Sequence, residues 1–365
     1  MKRLANLLGA IRRGSARGGL PYKLTLILTR SCPTRCSFCS IWKTPSREEM
    51  RAEEWDRVFA SAPHTAWVNL SGGEIFLRPD LPQILESLTT RMPGLYLVDF
   101  PTTGYFPERT LDACRRLVRS GVRRVLVTIS LDGPPALHDR LRGREGAHDR
   151  ACEAMRILRE ARLPRVRAYF GMTLFAENHA VVAETIAAAR DKVPGIHARD
   201  IHFNLGMESG HYYRNLGTNA RPPPAVLATL ERHRRRGLGP VALLERAYLS
   251  RIGAYLESGR SPVPCAALRA SVFIDPQGIA YPCSIYDRPL GGLREAGYDL
   301  GRVLAGARAR EARSEVVEER CPGCWTPCEA YQSLLDRAGV RRGRRTAAPA
   351  TRRSRAGSAA AGRSG

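Results

Sequence analysis

The chain has 365 residues, 43% of them hydrophobic, which allows one large domain with a smaller one beside it. No stretch approaches eighteen uninterrupted apolar residues, so the sequence holds no membrane-spanning helix. Fifty-eight Lys and Arg against thirty-five Asp and Glu give a net charge of +23, which points toward a polyanion. The five basic groups of residues 1–20 and the eight of residues 341–365 stand among no acids, leaving +10 for the 320 residues between. Nucleic acid is therefore an alternative partner and not the favoured one.

In chain order, residues 1–19 form a basic N-terminal segment. Its apolar stretch at 4–11 is interrupted by Asn6 and Gly9 and is followed by no small-residue cleavage site. It reads as a short amphipathic helix, not a signal peptide, and the expected location is the cytoplasm. From residue 20 to about 215, short apolar runs alternate with helical stretches. Strands are predicted at Lys23–Thr29, 66–70, 95–101, Arg124–Ser130, Val166–Leu174 and 200–206, with helices such as 109–119 and 151–161 between them. Six alternations predict an α/β fold with a parallel sheet and right-handed crossovers, either an open barrel or a doubly wound sheet.

Residues 216–262 read as a helical linker opened by Arg221-Pro222-Pro223-Pro224, with Arg234-Arg235-Arg236 as a solvated helix end. A cysteine-bearing unit spans 263–336, in which Ser271–Ile274 and 279–282 are strands around the turn Asp275-Pro276-Gln277-Gly278. Residues 337–365 are Arg, Ala, Gly and Ser with little to bury, and are expected to be disordered.

Ten cysteines without a secretory signal point to metal or redox chemistry. Cys32-Pro33-Thr34-Arg35-Cys36-Ser37-Phe38-Cys39 places three thiols on one loop after the first strand, at the edge where α/β folds build active sites. Structural zinc wants four ligands, normally in two separated knuckles. Three cysteines on a loop instead suit three corners of a four-iron cluster, leaving one iron open to another ligand.

This loop, with Phe38 before its last cysteine, resembles the signature of the radical S-adenosylmethionine (radical SAM) enzymes. Its companions follow in order at strand ends: Ser71-Gly72-Gly73-Glu74, Thr102-Thr103-Gly104 and Ser130-Leu131-Asp132-Gly133. Ile75 stands where relatives usually have Pro, and Thr103 where they often have Asn; neither is a cluster ligand. The resemblance covers about residues 20–210 and implies a partial (β/α)6 TIM-like barrel. It further implies a catalytic [4Fe-4S] cluster on Cys32, Cys36 and Cys39. S-adenosylmethionine would be bound by Phe38, Gly72, Gly73, Glu74, Thr102, Thr103, Ser130 and Asp132. Glu74 would meet the ammonium group, and a reductant such as flavodoxin or ferredoxin would supply the electron. Reductive cleavage to a 5′-deoxyadenosyl radical, followed by abstraction of a substrate hydrogen, is the implied reaction.

The spacing of Cys265, Gly278, Cys283, Cys321, Cys324 and Cys328 resembles the C-terminal auxiliary-cluster module called SPASM, or its shorter twitch form. A full SPASM module would carry more cysteines and two clusters. Five here imply one auxiliary [4Fe-4S] cluster on Cys265, Cys283, Cys321 and Cys324. Cys328 is then the spare, or else it displaces one of them; a zinc ribbon is the alternative reading. Cys114 and Cys152 lie on apolar helix faces and read as core.

The substrate is a peptide, a carbohydrate or another small metabolite. An RNA substrate and a non-catalytic iron–sulfur or zinc scaffold are the alternatives. Twenty-two residues precede the first strand, too few for the peptide-binding domain that peptide-modifying members often carry; this weakens a peptide substrate without excluding it, since a separate partner could present one. Finally, Glu208, His211 and Tyr213, just after the sixth strand, are expected to line the substrate pocket, with a surface loop as the alternative.

Overall fold

The computed structural model describes Gly9 and residues 19–218, 220–233 and 240–346. Its first half alternates strand and helix: β1 (Lys23–Thr29), α1 (Ala52–Ser61), β2 (Trp67–Gly72), α2 (Leu81–Arg91), β3 (Leu97–Thr102), α3 (Pro107–Arg119), β4 (Arg124–Ser130), α4 (Pro135–Arg142), α5 (Ala147–Glu160), β5 (Val166–Leu174), α6 (Val182–Lys192) and β6 (Ile201–Leu205). Proline opens α3 and α4, where its missing N–H has no intrahelical partner to lose. Gly143, at φ 60°, ends α4 in the left-handed conformation that favours glycine.

Three helices follow, α7 (Val226–Arg232), α8 (Pro240–Leu249) and α9 (Ile252–Ser258). The Pro222–Pro224 run precedes α7 and does not open it. The last part comprises β7 (Ser271–Ile274), β8 (Ile279–Tyr281), β9 (Gly291–Gly292), α10 (Leu300–Ala305), α11 (Ala307–Val317) and α12 (Pro327–Thr346). The run of α12 to Thr346 corrects the expectation of disorder from residue 337. Once the buried first turns of α12 are docked, the Arg-rich stretch 337–346 extends them although it contains Gly339 and Gly343. Residues 347–365, Arg234-Arg235-Arg236 and all but Gly9 of the helix expected at 4–11 lie outside the described residues. No helix among the described residues is long and apolar enough to cross a membrane.

The nine strands among the described residues form one sheet in the order β6-β5-β4-β3-β2-β1-β7-β8-β9. Strands β1 to β6 pair in parallel, and the two edges of the sheet do not meet. β7 pairs in parallel with β1, Lys23 opposite Ser271 and Leu26 opposite Ile274, and β8 then returns antiparallel. The unit expected at 263–336 is thus continuous with the main sheet. It also explains why every residue of β1 is buried: the strand has a neighbour on both sides.

Alternation along the strands separates two faces. In β4, Val125, Val127 and Ile129 are fully buried in the core beneath the helices, while residues 124, 126, 128 and 130 face the other way. Cys114 and Cys152 belong to that core. The opposite face of β2 to β6 encloses a cavity of about 1700 Å³.

Candidate active site

The loop bearing Cys32, Cys36 and Cys39 is held at both ends. Where it leaves β1, the Arg30 N–H donates to Glu49 Oε1 at 2.7 Å and the Arg30 guanidinium pairs with Asp275 at 3.2 Å. Further on, the N–H groups of Arg35 and Ser37 donate to the carbonyls of Arg142 and Leu141, at 2.8 and 2.9 Å. These are the carbonyls that the end of α4 leaves unpaired, so the helix terminus and the loop satisfy each other. A side chain on Gly143 would overlap the Arg35 carbonyl, so that close approach requires glycine.

All three cysteines line the cavity. The Thr34 hydroxyl sits between two of them, 3.2 Å from Cys32 Sγ and 3.3 Å from Cys36 Sγ. Burial pushes the Cys39 thiol up to about 12 and raises Cys32, with the neighbouring thiols adding to both effects. Among the described residues, no three Cys, His, Asp or Glu groups are gathered closely enough for one metal ion. A loop that presents three thiols to one cavity suits three corners of an iron–sulfur cluster.

Sequence reasoning missed Arg142. Its guanidinium lies 3.7 Å from Cys36 Sγ and 5.3 Å from the centre of the Phe38 ring, and it forms a buried ion pair with Asp132. Asp132 also accepts the Thr173 N–H at 2.8 Å and is wholly buried behind the cavity wall. The expectation that Asp132 contacts the cofactor is therefore corrected: its carboxylate is consumed in holding Arg142 and β5. The Phe38 ring packs on Phe175 with centroids 4.4 Å apart.

At the end of β2, Gly72 and Gly73 lie so close to the cysteine loop that a Cβ on either would overlap the carbonyls of Thr29 and Ser31. The N–H groups of Gly73 and Glu74 donate to those same carbonyls at 2.8 Å each. Gly72, Gly73, Thr102, Thr103 and Ser130 all face the cavity. Glu74 is fully buried just behind them, not on the cavity surface where it was expected. Its Oε2 accepts from the Thr102 hydroxyl at 3.0 Å, the Thr103 N–H at 2.7 Å and the Thr103 hydroxyl at 2.5 Å, while Oε1 has no partner. Burial raises its pKa against the pull of those bonds. An unpaired carboxylate oxygen, a wall of two glycines and three thiols form a donor set that fits an iron–sulfur cluster with an amino-bearing ligand beside it.

Residues 26–189 match the family described as the Radical SAM superfamily. Over that stretch the chain is a radical SAM domain. It is therefore an enzyme of the class that uses a [4Fe-4S] cluster and S-adenosylmethionine. The PqqA peptide cyclase of Granulibacter bethesdensis is 24% identical over 339 residues, spanning 86% of this chain and 84% of that protein. The sporulation killing factor maturation protein SkfB of Bacillus subtilis is 24% identical over 313 residues, spanning 85% and 71%. In fold the chain is similar to SuiB of Streptococcus suis bound to S-adenosylmethionine, at TM-score 0.55 and 15% identity over 81% of this chain and 68% of that one. It is also similar to anSMEcpe with bound AdoMet, at TM-score 0.54 and 14% identity over 89% and 100%. The open parallel sheet is thus the partial TIM barrel of radical SAM enzymes.

The second cysteine set divides in two. Cys265 and Cys324, both partly buried, pack against the cluster that holds Cys283, and Cys324 is raised by burial first and then by the charges of Cys283, Cys265, Glu329 and Cys321. Cys265 Sγ accepts the Ala267 N–H at 3.5 Å, and Cys283 Sγ the Tyr286 N–H at 3.3 Å, contacts that suit thiolates. Cys328, at the start of α12, instead lines the barrel cavity together with Cys32 and Cys39.

The segment after β6 crosses the cysteine loop. The Ser40 N–H donates to the Tyr213 carbonyl at 2.8 Å, and the Asn215 amide donates to the Phe38 carbonyl at 2.9 Å. Tyr213 lines the cavity, as does Tyr212, whose hydroxyl is 2.8 Å from Ser71 Oγ. Glu208 and His211 do not, and their expected place is corrected. Glu208 accepts the Gly217 N–H of its own loop at 3.2 Å. His211 stacks on Tyr281 at 4.3 Å, and its Nε2 lies 3.0 Å from the Cys283 carbonyl, on the auxiliary side. Burial lowers its pKa. The inward-facing Asn69, Asp99, Tyr169 and His202 also went unread. Polar residues at every second strand position were the available signal.

Proposed function

We propose that this radical SAM enzyme modifies a peptide. It would hold its catalytic cluster on Cys32, Cys36 and Cys39 and S-adenosylmethionine against Gly72, Gly73, Thr102, Thr103 and Ser130. The observation that carries the reading is the meeting of three loop thiols with the glycine-built end of β2 on one cavity. When bound and reduced, the cluster and S-adenosylmethionine supply the radical that takes a substrate hydrogen. The chain's own residues set the stage. Arg142 places a fixed positive charge beside Cys36. Glu74 fixes Thr102 and Thr103, which face the cavity. Phe38 and Tyr212 shield the site from water.

A peptide substrate is supported by the peptide cyclase and maturation protein among the relatives. Cys265, Cys283, Cys321 and Cys324 would hold one auxiliary cluster, with Cys328 outside it, and a flavodoxin or ferredoxin would deliver the electron. Anaerobic reconstitution tests this reading: about eight irons per chain are expected for two four-iron clusters. Replacing Cys32, Cys36 and Cys39 together by Ala should remove about half of that iron and all 5′-deoxyadenosine formation. A triple variant that still makes 5′-deoxyadenosine would refute the assignment.

A further inference from the structure

The cavity reaches from the cysteine loop, at the C-terminal ends of the strands, to Trp67, Leu97 and Arg124, which begin β2, β3 and β4. It therefore has a second mouth at the opposite end of the barrel. Arginine dominates that mouth: Arg124 and Arg167 stand at the starts of β4 and β5, and Arg162 and Arg165 lie on the turn between α5 and β5. Among the described residues, none of these four guanidiniums has a hydrogen bond, ion pair or aromatic contact. Elsewhere on the molecule arginines pair freely with carboxylates, as Arg91 does with Asp56 and Arg294 with Glu54. Arg162 and Arg165 further sit at φ 44° and 68°, a left-handed backbone that a non-glycine residue adopts at a cost. Asp200 is the one carboxylate at this mouth among the described residues, and it caps the N–H of His197.

Deeper in, the character changes. Asp99 is half-buried in the wall, hydrogen-bonded by Trp67 Nε1 and Asn69 Nδ2, and Leu97, Leu126 and Tyr169 flank it. A continuous phosphate backbone would meet a carboxylate and apolar side chains there, whereas a peptide can be acidic at one point and neutral at the next. The volume of about 1700 Å³ also exceeds the roughly 300–1,000 Å³ typical of small-molecule sites.

We propose that the mouth formed by Arg124, Arg162, Arg165 and Arg167 is the substrate entrance, and that it holds an acidic segment of the peptide while a neighbouring residue reaches the cysteine end. This rests on the peptide reading above. The four arginines select the substrate by charge and take no part in the radical step.

The test uses the reconstituted full chain and fluorescein-labelled hexaglutamate, followed by fluorescence anisotropy, with 5′-deoxyadenosine formation without peptide measured on the same samples. The variant Arg162→Gln/Arg165→Gln/Arg167→Gln should bind the probe about tenfold more weakly. Removing equal charge at Arg308, Arg310 and Arg313 on α11 should cost less than about twofold. Basal 5′-deoxyadenosine formation should be unchanged in both variants. A second variant, Arg165→Glu/Arg167→Glu, should turn the preference toward labelled hexalysine. Equal losses at the mouth and at α11 would make the attraction one of bulk charge and overturn the proposal. So would a single-stranded RNA that binds more tightly than hexaglutamate and is lost in the mouth variant. If the unsubstituted chain makes no 5′-deoxyadenosine yet shows mouth-dependent binding, the functional reading fails and the entrance stands.

Discussion

Arg142 and Asp132 form the ion pair on which the cysteine loop rests, their side chains 11% and 0% exposed. Removing one member of a buried pair leaves the other charge uncompensated, which costs about 3–5 kcal/mol. Arg142→Met should therefore lower stability by about that amount in urea denaturation of the iron-free chain, and adding Asp132→Asn should restore part of it. An Arg142→Met chain as stable as the original would mean the pair is not formed in solution. A second expectation concerns Cys39, whose thiol burial raises from an ordinary 9.0 to about 12. The raised value contributes stability to the iron-free fold that is fully present below about pH 9. It is lost as pH rises from there through about 12. At pH 8 the iron-free Cys39 should react with iodoacetamide at least about a hundredfold more slowly than an exposed cysteine, because the thiolate is the nucleophile. Mass spectrometry of the alkylated peptide reads this directly, and rapid labelling of the folded chain would refute it.

Among the elements, the contact that matters most joins the end of β2 to the start of the cysteine loop. Gly73 fits there because its backbone and that of Ser31 occupy the space a side chain would need. Gly73→Ala must push the loop away from the strand. We expect it to cost about 1–3 kcal/mol by overpacking and to reduce the iron retained on reconstitution. Full iron content with an unchanged Tm would contradict this account. Sequence reading found the glycines as a motif, but the partner they press against lies forty residues earlier in the chain, and pattern alone does not measure such an approach.

For the whole molecule, the consequential feature is that β7 completes the edge of β1. A chain ending at residue 262 would expose the unpaired N–H and C=O groups of an entirely buried strand, a template for aggregation. Such a truncated chain should appear in the insoluble fraction or the void volume of a sizing column. A monomer with the full chain's melting temperature would show that β7 is dispensable to the barrel. Lys23 strengthens the same seam, its buried ammonium donating to the Cys328 carbonyl at 2.5 Å and to Gln332 at 3.1 Å.

Local chemistry was legible without coordinates. Strands β1, β4, β5 and β7 have the limits their apolar runs predict, because hydrophobic periodicity is a property of neighbouring residues. The cysteine loop and the glycines could be read because cluster ligation and close backbone approach demand particular residue types at short spacing. What the tertiary structure alone decided is which side chains are used up by their neighbours. His211 and Glu208 had suitable chemistry and position in sequence, yet an aromatic stack with a backbone carbonyl holds one, and a loop N–H holds the other. Asp132 spends its charge on Arg142, ten residues on. Cys328 sits three residues before Tyr331 on a helix whose face turns it into the barrel cavity, while Cys321 and Cys324 lie on the preceding loop. The arginine mouth gathers residues from two strands and a turn. Each of these outcomes depends on how side chains meet in the packed fold, which residue spacing alone does not set.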